Sequence, residues 1–191
     1  MNNSCLYSIG HSNKSVDELI RELRLFGIQY LIDVRSMPYS KYHPQFNREL
    51  LRTVITNSGI IYGYMGDIIG GLPNRIEHDD CYTNDKVDYG KIKNKPFFIK
   101  GIERLVKANM QHNVTCLMCS EGDPHMCHRS KLIGEALRER GIILQHICQN
   151  NNGKLILKSQ IDIINEVTNG NNVFDLFGSS QNFTSRHTYQ I

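Results

Sequence analysis

Residues 28–34 read IQYLIDV, a nearly continuous apolar and β-branched run. A strand of this kind is covered on both faces, because a strand with one wet face alternates apolar and polar residues. The segment before it is helical by period. Val16, Leu19, Ile20, Leu23 and Phe26 recur at helical spacing, Ser15 with Glu18 forms a capping box, and Gly27 closes the turn. A helix feeding directly into a doubly covered strand is half of a βαβ unit, and the chain repeats the pattern. CLYSI (5–9), IIYGY (60–64), VTCLMC (114–119) and IILQHIC (142–148) read as further strands. Helices fit 48–58, between Asn47 as cap and Gly59 as stop, and 96–110, opened by Pro96 with Ile99, Ile102, Val106 and Met110 on one face. Another fits 129–140, ended by Gly141.

This alternation predicts an α/β fold: a mostly parallel sheet of about five strands, helices on both faces and right-handed crossovers. KLILK (154–158) adds a candidate edge strand and 160–168 a last helix. At 191 residues the expectation is one domain, residues 1–168, with enough chain for a full core. Residues 65–95 have no clear period and are expected to be a functional loop, a lid or a short element. The tail 169–191, rich in Asn, Ser, Gln and Thr, is expected to be disordered.

The net charge of +3 permits phosphate or nucleic-acid binding without requiring it. No apolar run approaches the roughly 18–20 residues of a membrane span, and MNNSCLYSIGHSNKS lacks the pattern of a signal peptide. The expectation is a cytoplasmic protein with no membrane partner. Cys5, Cys81, Cys116, Cys119, Cys127 and Cys148 are then thiols, metal ligands or nucleophiles, not a disulfide framework.

In parallel sheets, ligands bind beyond the carboxyl ends of the strands. Three chemically rich segments fall at that edge: GHSNKS (10–15), Asp33 and Arg35 with SMPYSKYHPQFNR, and SEGDPHMCHRS (120–130). Their convergence is the main argument for one active site. Cys116 and Cys119 resemble a C-x-x-C pair, but alternation on a strand sends them to opposite faces, leaving Cys119 as the functional candidate. Three readings of its loop remain open. Cys119 is a nucleophile activated by His128, Arg129 and the following helix start. Alternatively Cys119, Cys127 and His128 or His125 bind zinc or iron. In the third, Arg129 and the helix start cradle a phosphate and the cysteines merely pack.

Asp33 and Arg35 lie on the same side of their strand end, so they pair, or Arg35 reaches a substrate anion. His11 and Glu121 are candidates to move protons. The stretch RSMPYSKYHPQFNR interleaves basic and aromatic residues, which suits a nucleic-acid backbone or a Pro-braced loop at the rim of the core. HDDCYTNDKVD (78–88) reads as a solvated acidic loop.

The set IGHSNKS, LIDVRSMPYSKYHPQF, the pair Gly70-Gly71 and LMCSEGDPHMCHRSKLI resembles the domain-of-unknown-function family 488, over residues 7 to about 147. The resemblance marks His11, Asp33, Arg35, Pro38, Ser40, Cys119, Glu121, Cys127, His128 and Arg129 as the family's characteristic positions. A looser likeness of layout links LIDVR and the strand–Cys–loop–Arg-Ser–helix order to rhodanese and thiol-phosphatase domains. Here nine residues separate Cys119 from Arg129, about twice as many as in those domains.

The leading expectation is an enzyme with Cys119 as nucleophile and His11, Glu121, Asp33 and Cys127 in support, requiring no cofactor. Arg35, Ser40, His128, Arg129 and Ser130 are expected to bind an anionic, phosphate-bearing substrate, a small molecule or nucleic acid. The alternatives are a nucleic-acid-binding module and a Cys119, Cys127, His128 metal protein. NVFDLFG (172–178) resembles peptides that bind the bacterial sliding clamp through apolar anchors, here Phe174 to Phe177.

Overall fold

The computed structural model describes residues 4–150, 152–170 and 183–189. Six strands form the main sheet: β1 (Leu6–Gly10), β2 (Tyr30–Asp33), β3 (Ile61–Tyr64), β6 (Thr115–Cys119), β7 (Gln145–Gln149) and β8 (Leu155–Ser159). Their order is β3-β2-β6-β1-β7-β8; all neighbours are parallel except β8, which runs antiparallel along β7. The expected α/β class and mostly parallel sheet are therefore what the chain adopts, with KLILK as the antiparallel edge.

Helices cover both faces. On one lie α1 (Val16–Leu25) and α2 (Arg48–Asn57), burying Leu19, Leu23, Leu51 and Ile55 against Ile9, Leu31 and Cys116. On the other lie α3 (Gly66–Ile69), α4 (Tyr89–Lys93), α5 (Pro96–Met110) and the segment ending in α6 (Glu135–Arg138). These enclose Ile69, Ile92, Phe98, Ile102, Leu132 and Leu137. Cys116 and Cys119 fall in opposite cores, as strand alternation requires. The last helix, α7 (Gln160–Val167), starts with a full capping box between Ser159 and Asp162. At α1 only half of the expected box forms: Ser15 Oγ accepts from the Glu18 amide at 3.1 Å.

Residues 65–95 are ordered into small elements rather than an open loop. Besides α3 and α4 they contain β4 (Tyr82–Thr83) and β5 (Lys86–Asp88), joined by Asn84 and Asp85, both at positive φ. That is a two-residue turn whose twist matches a hairpin. The stretch read as an acidic loop is thus a hairpin with a buried Cys81. A third strand, β9 (Thr184–Thr188), pairs antiparallel with β5 and completes a small second sheet. Its presence departs from the expected disorder of 169–191. Residues 172–178, read as a docking peptide, lie outside the described residues.

Candidate active site

β6 inserts between β1 and β2, so three carboxyl ends lie side by side. Gly10 pairs in register with Cys119, and Asp33 with Met118. The loops carrying His11, Arg35 and residues 120–128 must therefore leave the sheet together. They are also tied: the His11 amide donates to the Cys119 carbonyl and the Val34 amide to the Met118 carbonyl. Gly10 is needed for this approach, because a Cβ there would lie 2.0 Å from the Glu121 carbonyl oxygen.

Cys119 stands at the end of β6, with the Nδ1 of His128 3.8 Å from its sulfur. The same nitrogen is 3.8 Å from the sulfur of Cys127. The ring's orientation is set from behind, where Nε2–H donates to the Val34 carbonyl at 3.1 Å. That bond puts the proton on Nε2 and leaves Nδ1 facing both thiols. Gly71 lies close to the root of the ring; a Cβ there would lie 2.7 Å from the Cβ and Cγ of His128.

Arg129 follows, and it is fully buried. Its Nε donates to Cys127 Sγ at 3.2 Å, Nη1 to Ser8 Oγ at 3.1 Å and Nη2 to the Glu121 carbonyl at 2.5 Å. The expected anion ligand is thus turned inward, as a fixed cation beneath the two sulfurs. The chain here forms a π-helix, Arg129–Gly134, before α6 begins. The Ser130 and Lys131 amides both donate to the Cys127 carbonyl. The expected anion-binding helix start is therefore spent on its own loop. Ser130 Oγ is likewise buried, donating to the Pro124 carbonyl.

Electrostatics divide the two thiols. Donation from Cys127 holds the Cys119 thiol well below its usual pKa; burial opposes this, while His128 and Arg129 add to it. Burial and the facing Cys119 thiolate push Cys127 well above its usual value. Burial disfavours a charged His128, yet the Cys119 thiolate raises its pKa. The shifts agree in direction: Cys127 is favoured as the neutral donor to Cys119, and Cys119 and His128 each favour the other's charged form.

Asp33 and Arg35 form a second, adjoining unit. Arg35 Nε and Nη2 donate to the two carboxylate oxygens at 2.9 and 2.6 Å, and Tyr62 donates to Asp33 Oδ2 at 2.8 Å. Arg35 Nη1 meets His11 Nε2 at 3.3 Å. The other nitrogen of His11 donates to the Ser12 carbonyl, and its ring stacks on Phe46 with centroids 4.0 Å apart. Burial lowers the His11 pKa to about 4. His11 is therefore neutral at pH 7 with both nitrogens engaged, a poor position for the proton carrier expected from its sequence context.

The basic-aromatic loop divides in the same way. Phe46 is core, Arg48 lies 3.9 Å over the Tyr64 ring, and Tyr39 donates to Glu49. Ser40, expected to bind an anion, instead accepts from the Tyr42 and His43 amides in a tight turn. His125 sits between Asp123 and Glu166, outside the thiol cluster.

A cavity of about 220 Å³ opens over Cys119, lined also by Arg35, Ser120, Glu121 and His128. Its far wall is Ser185, Arg186, His187 and Tyr189, from β9 and the residue after it. None of these was singled out in the sequence. The signal that could have found them is the Asn84-Asp85 turn, which announces a strand pair with an edge to fill.

Cys119, Cys127 and His128 also offer a donor set for a metal, with all three ligand atoms within 4.8 Å of one another. Tetrahedral zinc, with bonds of about 2.3 Å to sulfur and about 2.0 Å to nitrogen, needs donors roughly 3.6–3.8 Å apart. The two 3.8 Å sulfur–nitrogen separations fit, and the Val34 carbonyl supplies the support a ligating histidine usually has.

No helix among the described residues is long and apolar enough to cross a membrane. No curated protein and no solved structure is similar enough to the chain to match it. A family model does match, over residues 15–136, spanning β2, β6, the thiol loop and the π-helix. By that match the chain belongs to the family described as Domain of unknown function DUF488.

Proposed function

We propose that this chain is a thiol-dependent transferase or hydrolase acting on a small, anionic, phosphate-bearing substrate, with Cys119 as nucleophile. One observation carries the reading: a thiol at a strand's carboxyl end lines an open cavity while Cys127, His128 and Arg129 all favour its ionised form. Cys119 Sγ attacks the electrophilic atom of the substrate. As that bond forms, the leaving group departs with the proton of His128 Nδ1. The neutral Nδ1 then takes a proton from water or an acceptor hydroxyl, which breaks the covalent bond and restores the thiolate. Asp33 and Arg35 act as a rigid brace for the cavity rim.

The test is the pH dependence of iodoacetamide alkylation at Cys119, followed by peptide mapping. An apparent pKa well below the usual value of about 8.5 supports the reading. Reaction no faster than a free thiol at pH 7 sinks it.

The donor geometry favours one second reading, in which Cys119, Cys127 and His128 hold zinc or iron. Metal analysis of tag-free protein separates the two. Near-stoichiometric metal, lost in both Cys119→Ser and Cys127→Ser, makes the thiolate a ligand and ends the nucleophile reading.

A further inference from the structure

Both arginines that the sequence offers for anion binding are committed elsewhere. Arg129 is fully buried, with bonds to Cys127, Ser8 and Glu121. Arg35 is clamped by Asp33. The Nδ1 of His128 is directed at the two sulfurs, 3.8 Å from each. Among the described residues lining the cavity, Glu121 is the one carboxylate. What remains on the positive side is Arg186, an exposed residue on β9, with His187 beside it.

β9 is held firmly enough to present these groups. The Tyr89 amide donates to the Phe183 carbonyl at 2.9 Å, the Val87 amide to Ser185 Oγ at 3.0 Å and the Tyr189 amide to the Asp85 carbonyl at 2.7 Å. Arg75, itself paired with Asp85 and Asp79, also donates to the Tyr189 carbonyl. The strand lies beyond residues 15–136, so this wall is not part of the matched family segment. Opposite it stands Cys119, across a space that admits only a small group.

We propose that β9 completes the active site and that Arg186, with His187 beside it, is its anion-recognising wall. It takes the phosphate, sulfonate or carboxylate of a substrate whose electrophilic centre faces Cys119. The inference rests on the thiolate reading for its chemistry but not for its binding. Arg186 is a substrate-binding residue and Glu121 the opposing charge that keeps the bound anion toward the β9 side.

Charge-matched alkylating agents test it. Iodoacetate and iodoacetamide both react by one step: the Cys119 sulfur displaces iodide and a thioether forms. Relative to free cysteine, wild-type Cys119 is expected to favour the anionic reagent by roughly threefold, the modest ratio that one solvent-exposed cation at the cavity wall produces. Arg186→Gln brings the ratio to that of free cysteine while the iodoacetamide rate stays within about twofold, and molar salt does the same by screening. Arg186→Lys keeps part of the preference. A ratio unaffected by Arg186→Gln overturns the proposal.

A second arm needs no reactive thiol. In Cys119→Ser, inorganic phosphate is expected to raise the Tm saturably beyond chloride at equal ionic strength, and adding Arg186→Gln abolishes the shift. No phosphate-specific shift overturns the anion wall even where the thiol is fast. A shift lost with Arg186→Gln, beside a sluggish wild-type thiol, keeps the wall and removes the nucleophile.

Discussion

Arg129 and His146 share one hydroxyl. Arg129 Nη1 donates to Ser8 Oγ at 3.1 Å, and Ser8 Oγ donates to His146 Nδ1 at 2.6 Å. The direction is set from the far end: Gln160 spends its Nε2 on two acceptors and turns Oε1 to His146, so the neutral ring is protonated on Nε2 and its Nδ1 accepts. His146 Nε2 donates to Gln160 Oε1 at 2.8 Å. Gln160 Nε2 in turn donates to the Ser130 carbonyl and to Glu135 Oε1. This chain runs from β1 through β7 and α7 into the π-helix, so the sheet itself aims the guanidinium at the thiols.

Ser8→Ala breaks that chain at its centre. Arg129 loses an acceptor and His146 a donor, both in the buried interior. The expected cost is about 1–3 kcal/mol, seen as a lower urea midpoint. A freed Arg129 also stabilises the thiolate less, so the alkylation pKa of Cys119 rises. An unchanged pH–rate profile means that Arg129 is held without Ser8.

The neighbours of Cys119 are separable by substitution. Cys127 donation is the largest influence holding its pKa down, with the imidazolium of His128 following. Cys127→Ala and His128→Gln should each raise the Cys119 pKa and move its alkylation pH–rate profile to higher pH. Cys127→Ser keeps a donor and is expected to fall between Cys127→Ala and wild type. A Cys127→Ser variant no better than Cys127→Ala argues that Cys127 acts by packing.

Much of this frame is legible in the chain. The run IQYLIDV, the Ser15 cap and the glycines after each helix are local signals, and the sheet follows from their alternation. Placing the three rich loops at one edge needs only the parallel order, and Gly10, Asp33 and Cys119 do end together. What strand alternation does not supply is the direction of side chains on the loops and beyond the strand ends. Arg129 and Arg186 are both basic residues near a cysteine loop, yet one is buried under the sulfurs and the other stands at the cavity wall. That difference depends on Ser8, Glu121 and β5, partners distant in sequence. The small strands β4, β5 and β9 escaped for another reason. They are stabilised by pairing with each other, with too few residues for a period to show.

Acid should destabilise the fold through two neutral histidines. Burial lowers His11 to about 4 and His146 to about 3, whereas an unfolded histidine titrates near 6.5. Each folded pKa is depressed, so the unfolded chain binds the extra proton first. The associated stability is present above about pH 6.5 and is lost as pH falls toward the folded values. Between pH 6.5 and 5 the loss is on the order of 2 kcal/mol per histidine. Urea unfolding at pH 7 and pH 5 measures it, and His146→Gln should flatten the difference. Equal midpoints at the two pH values contradict the neutral assignments.

Gly70 and Gly71 make a paired test of how the imidazole is positioned. A Cβ on Gly71 would lie 2.7 Å from the Cβ and Cγ of His128, whose Nε2 is tethered to the Val34 carbonyl. A Cβ on Gly70 would instead lie 2.1 Å from the Gly66 carbonyl oxygen and 2.3 Å from Ser36 Oγ. Both substitutions overpack, and each should cost about 1–3 kcal/mol. Only Gly71→Ala tilts Nδ1 away from the sulfurs, so only it should raise the Cys119 pKa and slow alkylation at neutral pH. Gly70→Ala should unfold at lower urea yet keep the wild-type pH–rate profile. If the two variants alter alkylation alike, the effect is general loosening, and the contact between Gly71 and His128 has no special part in setting the thiolate.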